Sequence, residues 1–110
     1  PYAAVKLINE EKARVIDIRA PADFKRGHIL GADNLPPARH ADLQQQVEKN
    51  PNKPVILVCA MGVAAKSLAR KLRAAGAQSV YPLAGGLNAW EGAGMPLTTQ
   101  TNTSKKKRKA

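Results

Sequence analysis

The chain has 110 residues, 44% hydrophobic and 24% charged, which is the size of one domain and close to the soluble average. No apolar run approaches the ~20 residues of a membrane-spanning helix, and a single cysteine excludes an intramolecular disulfide and a multi-cysteine zinc site. Of the 18 basic residues behind the net charge of +10, five are Lys105, Lys106, Lys107, Arg108 and Lys109, which leaves 13 against 8 acidic residues in the body.

Ala4, Val5, Leu7 and Ile8 stand at near-helical spacing between residues 1 and 12, and Pro1 suits a first helical turn. Residues 14–18, Arg-Val-Ile-Asp-Ile, form a β-branched run that predicts a buried strand. Pro21 opens a turn, with a short helical piece around residues 23–25. Residues 31–35 can hold a short strand, stopped by Pro36 and Pro37. Leu43 and Val47 share one side of an amphipathic stretch over about 41–49, and residues 50–54 form a loop.

Val-Ile-Leu-Val at 55–58 is the most apolar run and predicts a central strand. The helix after it puts Ala65, Leu68, Leu72 and Ala75 on one face and ends at Gly76. A short strand lies within 78–83. Gly85 and Gly86 make a turn before a last helix over about 87–93, closed by Gly94 and Pro96. Strands alternating with helices predict an α/β domain of three layers over residues 1–97, a mainly parallel central sheet with helices on both faces. Residues 98–110, polar and then basic, read as a disordered tail.

Parallel sheets carry their sites at the carboxyl ends of the strands, and Cys59 follows the most apolar strand at once. The loop Ala60, Met61, Gly62 then leads into a helix through Val63, Ala64 and Ala65. Amides of such a loop can turn inward around the sulfur. The helix start adds unpaired N–H donors and the positive end of its dipole. Gly62 permits a backbone conformation that a side chain resists. These features favour a thiolate, since amide hydrogen bonds to a charged group are worth ~1.5–3 kcal/mol each. Position alone leaves open the alternative of a buried cysteine serving as a small apolar filler.

Several short pieces carry a resemblance. They are Val-Ile-Asp17-Ile-Arg19, then Asp23-Phe24, then Gly27-His28-Ile-Leu-Gly31-Ala32. Val58-Cys59-Ala-Met-Gly62 and Leu83-Ala-Gly-Gly86-Leu-Asn-Ala-Trp90 complete the series. In this order they resemble the rhodanese homology domain family over roughly residues 4–97, and look most like its small single-domain bacterial members. The resemblance implies a rhodanese-like sulfurtransferase, an enzyme whose Cys59 accepts sulfane sulfur as a persulfide and passes it on. The donor would be thiosulfate or a protein persulfide, and the acceptor cyanide or another thiol. The amides from Ala60 to Ala65, with Met61, Gly62, Val63 and Ala64 between them, would bind the substrate sulfur. No metal and no organic cofactor is implied.

The loop departs from the family pattern. Where many active members carry arginine or another polar side chain, this chain has Ala60, Ala64 and Ala65. Recognition of a small dianion is expected to suffer, so thiosulfate is expected to be a poor donor, and Met61 and Val63 suggest an apolar rim suited to a protein persulfide. The alternative is a non-catalytic rhodanese-like protein-binding module. A phosphatase or arsenate reductase is not expected. The arginine such enzymes place six residues after the nucleophile is Ala65 here, and Lys66 comes one step late and cannot form a bidentate fork.

Asp17 and Arg19 are expected to form a structural polar network near the site, and His28 to be a hydrogen-bonded structural residue rather than a partner of the cysteine. His40 is expected to be solvated in a polar loop, and Trp90 to pack the last helix. The basic run at 105–109 can attract an acidic lipid surface or serve only to solubilise. With aromatics at 4% and no stacking platform, nucleic acid is not an expected partner. The chain opens at Pro1 without methionine, so an N-terminal piece is expected to precede it. The expected location is the cytoplasm, with a membrane tether if that piece holds an anchor.

Overall fold

The computed structural model describes residues 2–100. The elements are α1 (Tyr2–Glu11), β1 (Arg14–Asp17), α2 (Pro21–Arg26), β2 (Asp33–Asn34), a 3-10 turn (Pro37–Arg39), α3 (His40–Lys49), β3 (Val55–Val58), α4 (Val63–Ala74), β4 (Val80–Pro82) and α5 (Gly86–Gly92). The four strands form one sheet in the order β2-β1-β3-β4, and every pair is parallel. The expected α/β architecture is observed, and each expected helix and strand appears close to its place.

Alternation along the strands divides the core in two. Ile16, Val55 and Leu57 point to one face, where Leu43 and Val47 of α3 and Ala65, Ala69 and Leu72 of α4 cover them. Val15, Ile56 and Val58 point to the other, against Ala4 of α1, Phe24 of α2, and Leu87 and Trp90 of α5. Burial on both faces explains why β3 is apolar throughout rather than alternating. Each large apolar side chain fully removed from water contributes ~1.5–3 kcal/mol, and Leu43 and Leu57 are both without exposure.

The register of β1 on β3 sets Asp17 beside Val58. Ile18 continues the ladder by donating its N–H to the carbonyl of Val58 at 2.9 Å. The segments leaving both strands, Ile18–Arg19 and Cys59–Ala60, therefore emerge together at the carboxyl edge of the sheet.

Two details differ from expectation. His40 begins α3 instead of lying solvated in a loop. It is partly buried, its Nε2 is enclosed without a hydrogen-bond partner among the described residues, and burial, aided by the Lys71 charge, lowers its pKa from 6.5. Thr98 lies past the expected boundary at residue 97, yet it pairs antiparallel with His28 through reciprocal backbone hydrogen bonds of 2.7 and 2.9 Å. The basic run at 105–109 lies outside the described residues. Among those residues no helix is long and apolar enough to cross a membrane.

Candidate functional site

β3 delivers Cys59 to the sheet edge, where the residue is only 6% exposed. The chain then turns through Ala60, Met61 and Gly62. Gly62 has φ +95°, a left-handed conformation that glycine adopts without strain, and it caps the start of α4. The turn brings two donors onto the sulfur. The N–H of Gly62 points at Cys59 Sγ from 3.1 Å, and that of Ala65, in the first turn of α4, from 3.4 Å. The positive end of a 12-residue helix adds to them. Two amides and a helix start aimed at one sulfur stabilise negative charge on it.

Loop amides can face the sulfur because the loop carbonyls face away. The carbonyl of Cys59 accepts from Leu87 N–H at 2.9 Å, and that of Ala60 from Asn88 N–H at 3.0 Å. Both donors belong to the opening turn of α5, which sits under the loop. That approach leaves no room for side chains. A β-carbon on Gly62 would lie 2.9 Å from the nitrogen of Gly85, and one on Gly86 would lie 2.7 Å from the carbonyl of Ala60. Gly85 and Gly86 are left-handed as well, with φ of +73° and +59°. The pair is more than the turn that its sequence predicts. The available signal was two adjacent glycines at a helix start, a demand for close backbone approach.

A cleft of about 600 Å³ opens over the cysteine. Ala60, Met61, Val63 and Ala64 line it on the loop side, and Arg19 and Asp23 on the other. Ala65 does not line the cleft: its side chain has no exposure and packs in the core under α4, so only its N–H reaches the site. Met61 and Val63 form an exposed apolar ridge, 61% and 74% accessible. Beyond the ridge lies a second hollow of about 360 Å³, bordered by Lys66.

Asp17 is fully buried and its carboxylate accepts from Arg19. Asn34 ties the same edge together, donating from its amide to the carbonyls of Asp17 and Arg19, each at 2.9 Å. His28 lies apart from the cysteine. It has no exposure, stacks on Phe24 with ring centroids 3.7 Å apart, and faces carbonyl oxygens with both ring nitrogens: Phe24 at 2.6 Å from Nδ1 and Gln100 at 2.5 Å from Nε2. Neither nitrogen is available to a thiol. Trp90 is buried in the α5 layer and donates its indole N–H to Pro96. Among the described residues no group of three or more His, Cys, Asp or Glu converges as a metal site.

A family model described as the Rhodanese-like domain matches residues 1–93. The "Uncharacterized protein YibN" of Escherichia coli (strain K12) is 40% identical over 95 residues, which are 86% of this chain and 66% of the relative, so the chain spans just under two thirds of that protein. The thiosulfate sulfurtransferase GlpE of Pseudoalteromonas translucida is 35% identical over 81% of this chain and 83% of its own length. Among solved structures, the 30 kDa polysulfide-sulfur transferase homodimer of Wolinella succinogenes superposes with a TM-score of 0.73 at 26% identity, covering 92% of this chain and 77% of that one.

Proposed function

Because the chain belongs to the rhodanese-like domain family, we propose that it is a sulfurtransferase that carries sulfane sulfur as a persulfide on Cys59. The observation that carries this reading is the pair of amides, from Gly62 and Ala65, aimed at the sulfur at the base of an accessible cleft. A filler cysteine has no use for that arrangement.

In the first step the Cys59 thiolate attacks the outer sulfur of the donor. A sulfur–sulfur bond forms on the protein, the donor's own sulfur–sulfur bond breaks, and its electron pair leaves with sulfite (from thiosulfate) or with a thiolate (from a persulfide). In the second step an acceptor thiolate or cyanide attacks the outer sulfur of the Cys59 persulfide and restores the thiolate. Charge and electrons balance without an external oxidant or reductant. The outer sulfur is an anion, and the N–H groups of Val63 and Ala64, which lack partners within the first turn of α4, supply donors for it.

The loop contributes no charged side chain to the cleft, and its rim is Met61 and Val63. Charge-assisted hydrogen bonds are worth ~1.5–3 kcal/mol each, so thiosulfate is a poor donor. A persulfide presented by another protein, or by a larger thiol that covers the ridge, is a better one. The exposed ridge also favours a second reading, a protein-binding module in which Cys59 carries no sulfur. Multiple-turnover transfer from thiosulfate and from a persulfide donor to a thiol separates the two. The sulfurtransferase reading requires turnover that Cys59→Ser abolishes. Absence of turnover with every donor, in a folded protein, selects the binding module.

A further inference from the structure

The loop leaves the anionic part of a donor or acceptor without a cation, yet the opposite wall of the cleft holds one. We propose that Arg19 is the anion-binding residue of the Cys59 cleft, presenting its Nη1 protons to a sulfonate or carboxylate on the molecule that reacts there. This rests on the reading of Cys59 as the sulfur carrier and names the group that recognises its substrates.

Three of the guanidinium's five protons are already directed elsewhere. Nε faces Asp17 Oδ1 at 3.0 Å and Oδ2 at 3.2 Å, while Nη2 donates to Oδ2 at 2.8 Å and to the carbonyl of Gly27 at 2.7 Å. These bonds fix the plane of the group. Nη1 has no hydrogen bond within the described residues, and it is not shut in: the buried, unpartnered side-chain polar atom among those residues is His40 Nε2. The Arg19 side chain keeps 16% exposure, and the residue lines the cavity that Cys59 opens into. A guanidinium held rigidly with Nη1 free at a cleft can donate charge-assisted hydrogen bonds from that one nitrogen to an oxyanion.

Other charges do not take this part. Lys66 borders the hollow beyond the Met61–Val63 ridge and is absent from the walls of the cysteine cleft. Asp23, the acidic residue of the cleft, is half exposed and pairs with Arg26 at 3.5 Å. Because Asp17 offsets the formal charge of Arg19, the anchor works through directed N–H donors rather than through a long-range field. It therefore acts on how tightly an anionic reactant sits, and only weakly on how fast it arrives.

The test uses two alkylating reagents that differ in charge, iodoacetate and iodoacetamide, which place a carboxymethyl or a carbamoylmethyl group on Cys59 as the sulfur displaces iodide, and need no sulfur transfer. The rate ratio of iodoacetate to iodoacetamide at Cys59 is expected to exceed the ratio for the thiol of glutathione under the same conditions. A wild-type ratio no higher than that of glutathione overturns the proposal without any variant. In Arg19→Lys, and in the double variant Asp17→Asn with Arg19→Gln that leaves no buried charge unpaired, the ratio is expected to fall about tenfold, the scale of one charge-assisted hydrogen bond. The same variants are expected to raise the apparent KM about tenfold with kcat little changed. A rise for both thiosulfate and glutathione persulfide assigns a general oxyanion anchor, and a rise for one alone assigns that donor's anion. A folded variant with an unchanged alkylation ratio and unchanged KM values rejects Arg19. Failure of all sulfur transfer with a preserved alkylation ratio rejects the sulfurtransferase reading and leaves the anion anchor standing.

Discussion

Gly86 supports Cys59 from beneath: a β-carbon on Gly86 would collide with the carbonyl of Cys59 and lie 2.7 Å from that of Ala60. The collision is with backbone, so no side chain can move aside. Gly86→Ala is expected to lower stability by ~1–3 kcal/mol as an overpacked substitution, with further strain from φ +59°. Sulfur transfer should fall more than stability does, because the loop that aims the amides must shift. Gly92→Ala, in the same helix but with no heavy atom within 4 Å of the added carbon, should be neutral or stabilising by up to ~1 kcal/mol. Urea unfolding of both variants checks the contrast, and equal effects would remove the close approach as its cause.

Ala64 and Ala65 are adjacent in sequence and face different surroundings. Ala64 lines the cleft, whereas Ala65 is buried in the core. Ala64→Arg is expected to fold normally and to lower the apparent KM for thiosulfate by about tenfold or more, as one charge-assisted contact is restored. Ala65→Arg is expected not to fold stably, since it drives a charged side chain between α4 and the sheet. Steady-state kinetics for the first and circular dichroism for the second are the measurements. An unchanged KM in Ala64→Arg at low ionic strength would mean that the poor use of thiosulfate has another origin.

His40 makes stability depend on pH. Burial, with the nearby Lys71 charge, lowers its pKa from 6.5 in the folded protein, while the unfolded chain takes up its proton near the ordinary value of about 6.5. The unfolded state thus binds more protons between those two values. The contribution of His40 to stability is complete above about pH 6.5 and is lost as the pH falls from there through the lower folded value. Urea midpoints measured at about pH 7.5 and about pH 5 should therefore drop less in His40→Gln than in the wild type. An identical drop in both would show that His40 is not the group responsible.

His28 ties the segment at Thr98–Gln100 to α2, with ring nitrogens facing the carbonyls of Phe24 and Gln100. His28→Leu takes the ring away from both carbonyls; that of Phe24 keeps the Gly27 N–H at 3.2 Å, so the cost is ~1–3 kcal/mol where the Gln100 carbonyl stays dry. The expected result is a lower unfolding midpoint with sulfur transfer per folded molecule nearly unchanged. A loss of transfer well beyond the loss of folded protein would place His28 in the chemistry.

Much of this molecule was legible in its sequence for physical reasons. The run Val55–Val58 predicts a central strand, and the structure buries it on both faces with Cys59 directly after it. The glycine at 62 and the helical pattern after it implied amides around the sulfur, and the structure has two. The burial of Ala65 was also written in the spacing that set it on one face with Leu68 and Leu72, which leaves its amide for the site. Contacts distant in sequence were not legible. The support of the Cys59 loop by Gly85 and Gly86 joins segments more than 20 residues apart. The position of Arg19 opposite the loop depends on β1 lying beside β3. The influence on His40 of Lys71, on α4, joins segments 31 residues apart.

The central claim is that Cys59 holds transferable sulfur, and intact-mass measurement tests it most directly. The protein is incubated with thiosulfate or with a persulfide donor, freed of small molecules and weighed before and after treatment with a reductant. The account predicts a gain of one sulfur atom, located at Cys59 by peptide mapping, lost on reduction or on addition of cyanide with release of thiocyanate, and absent in Cys59→Ser. A folded wild-type protein that gains no sulfur from either donor, or a gain that persists in Cys59→Ser, would contradict it.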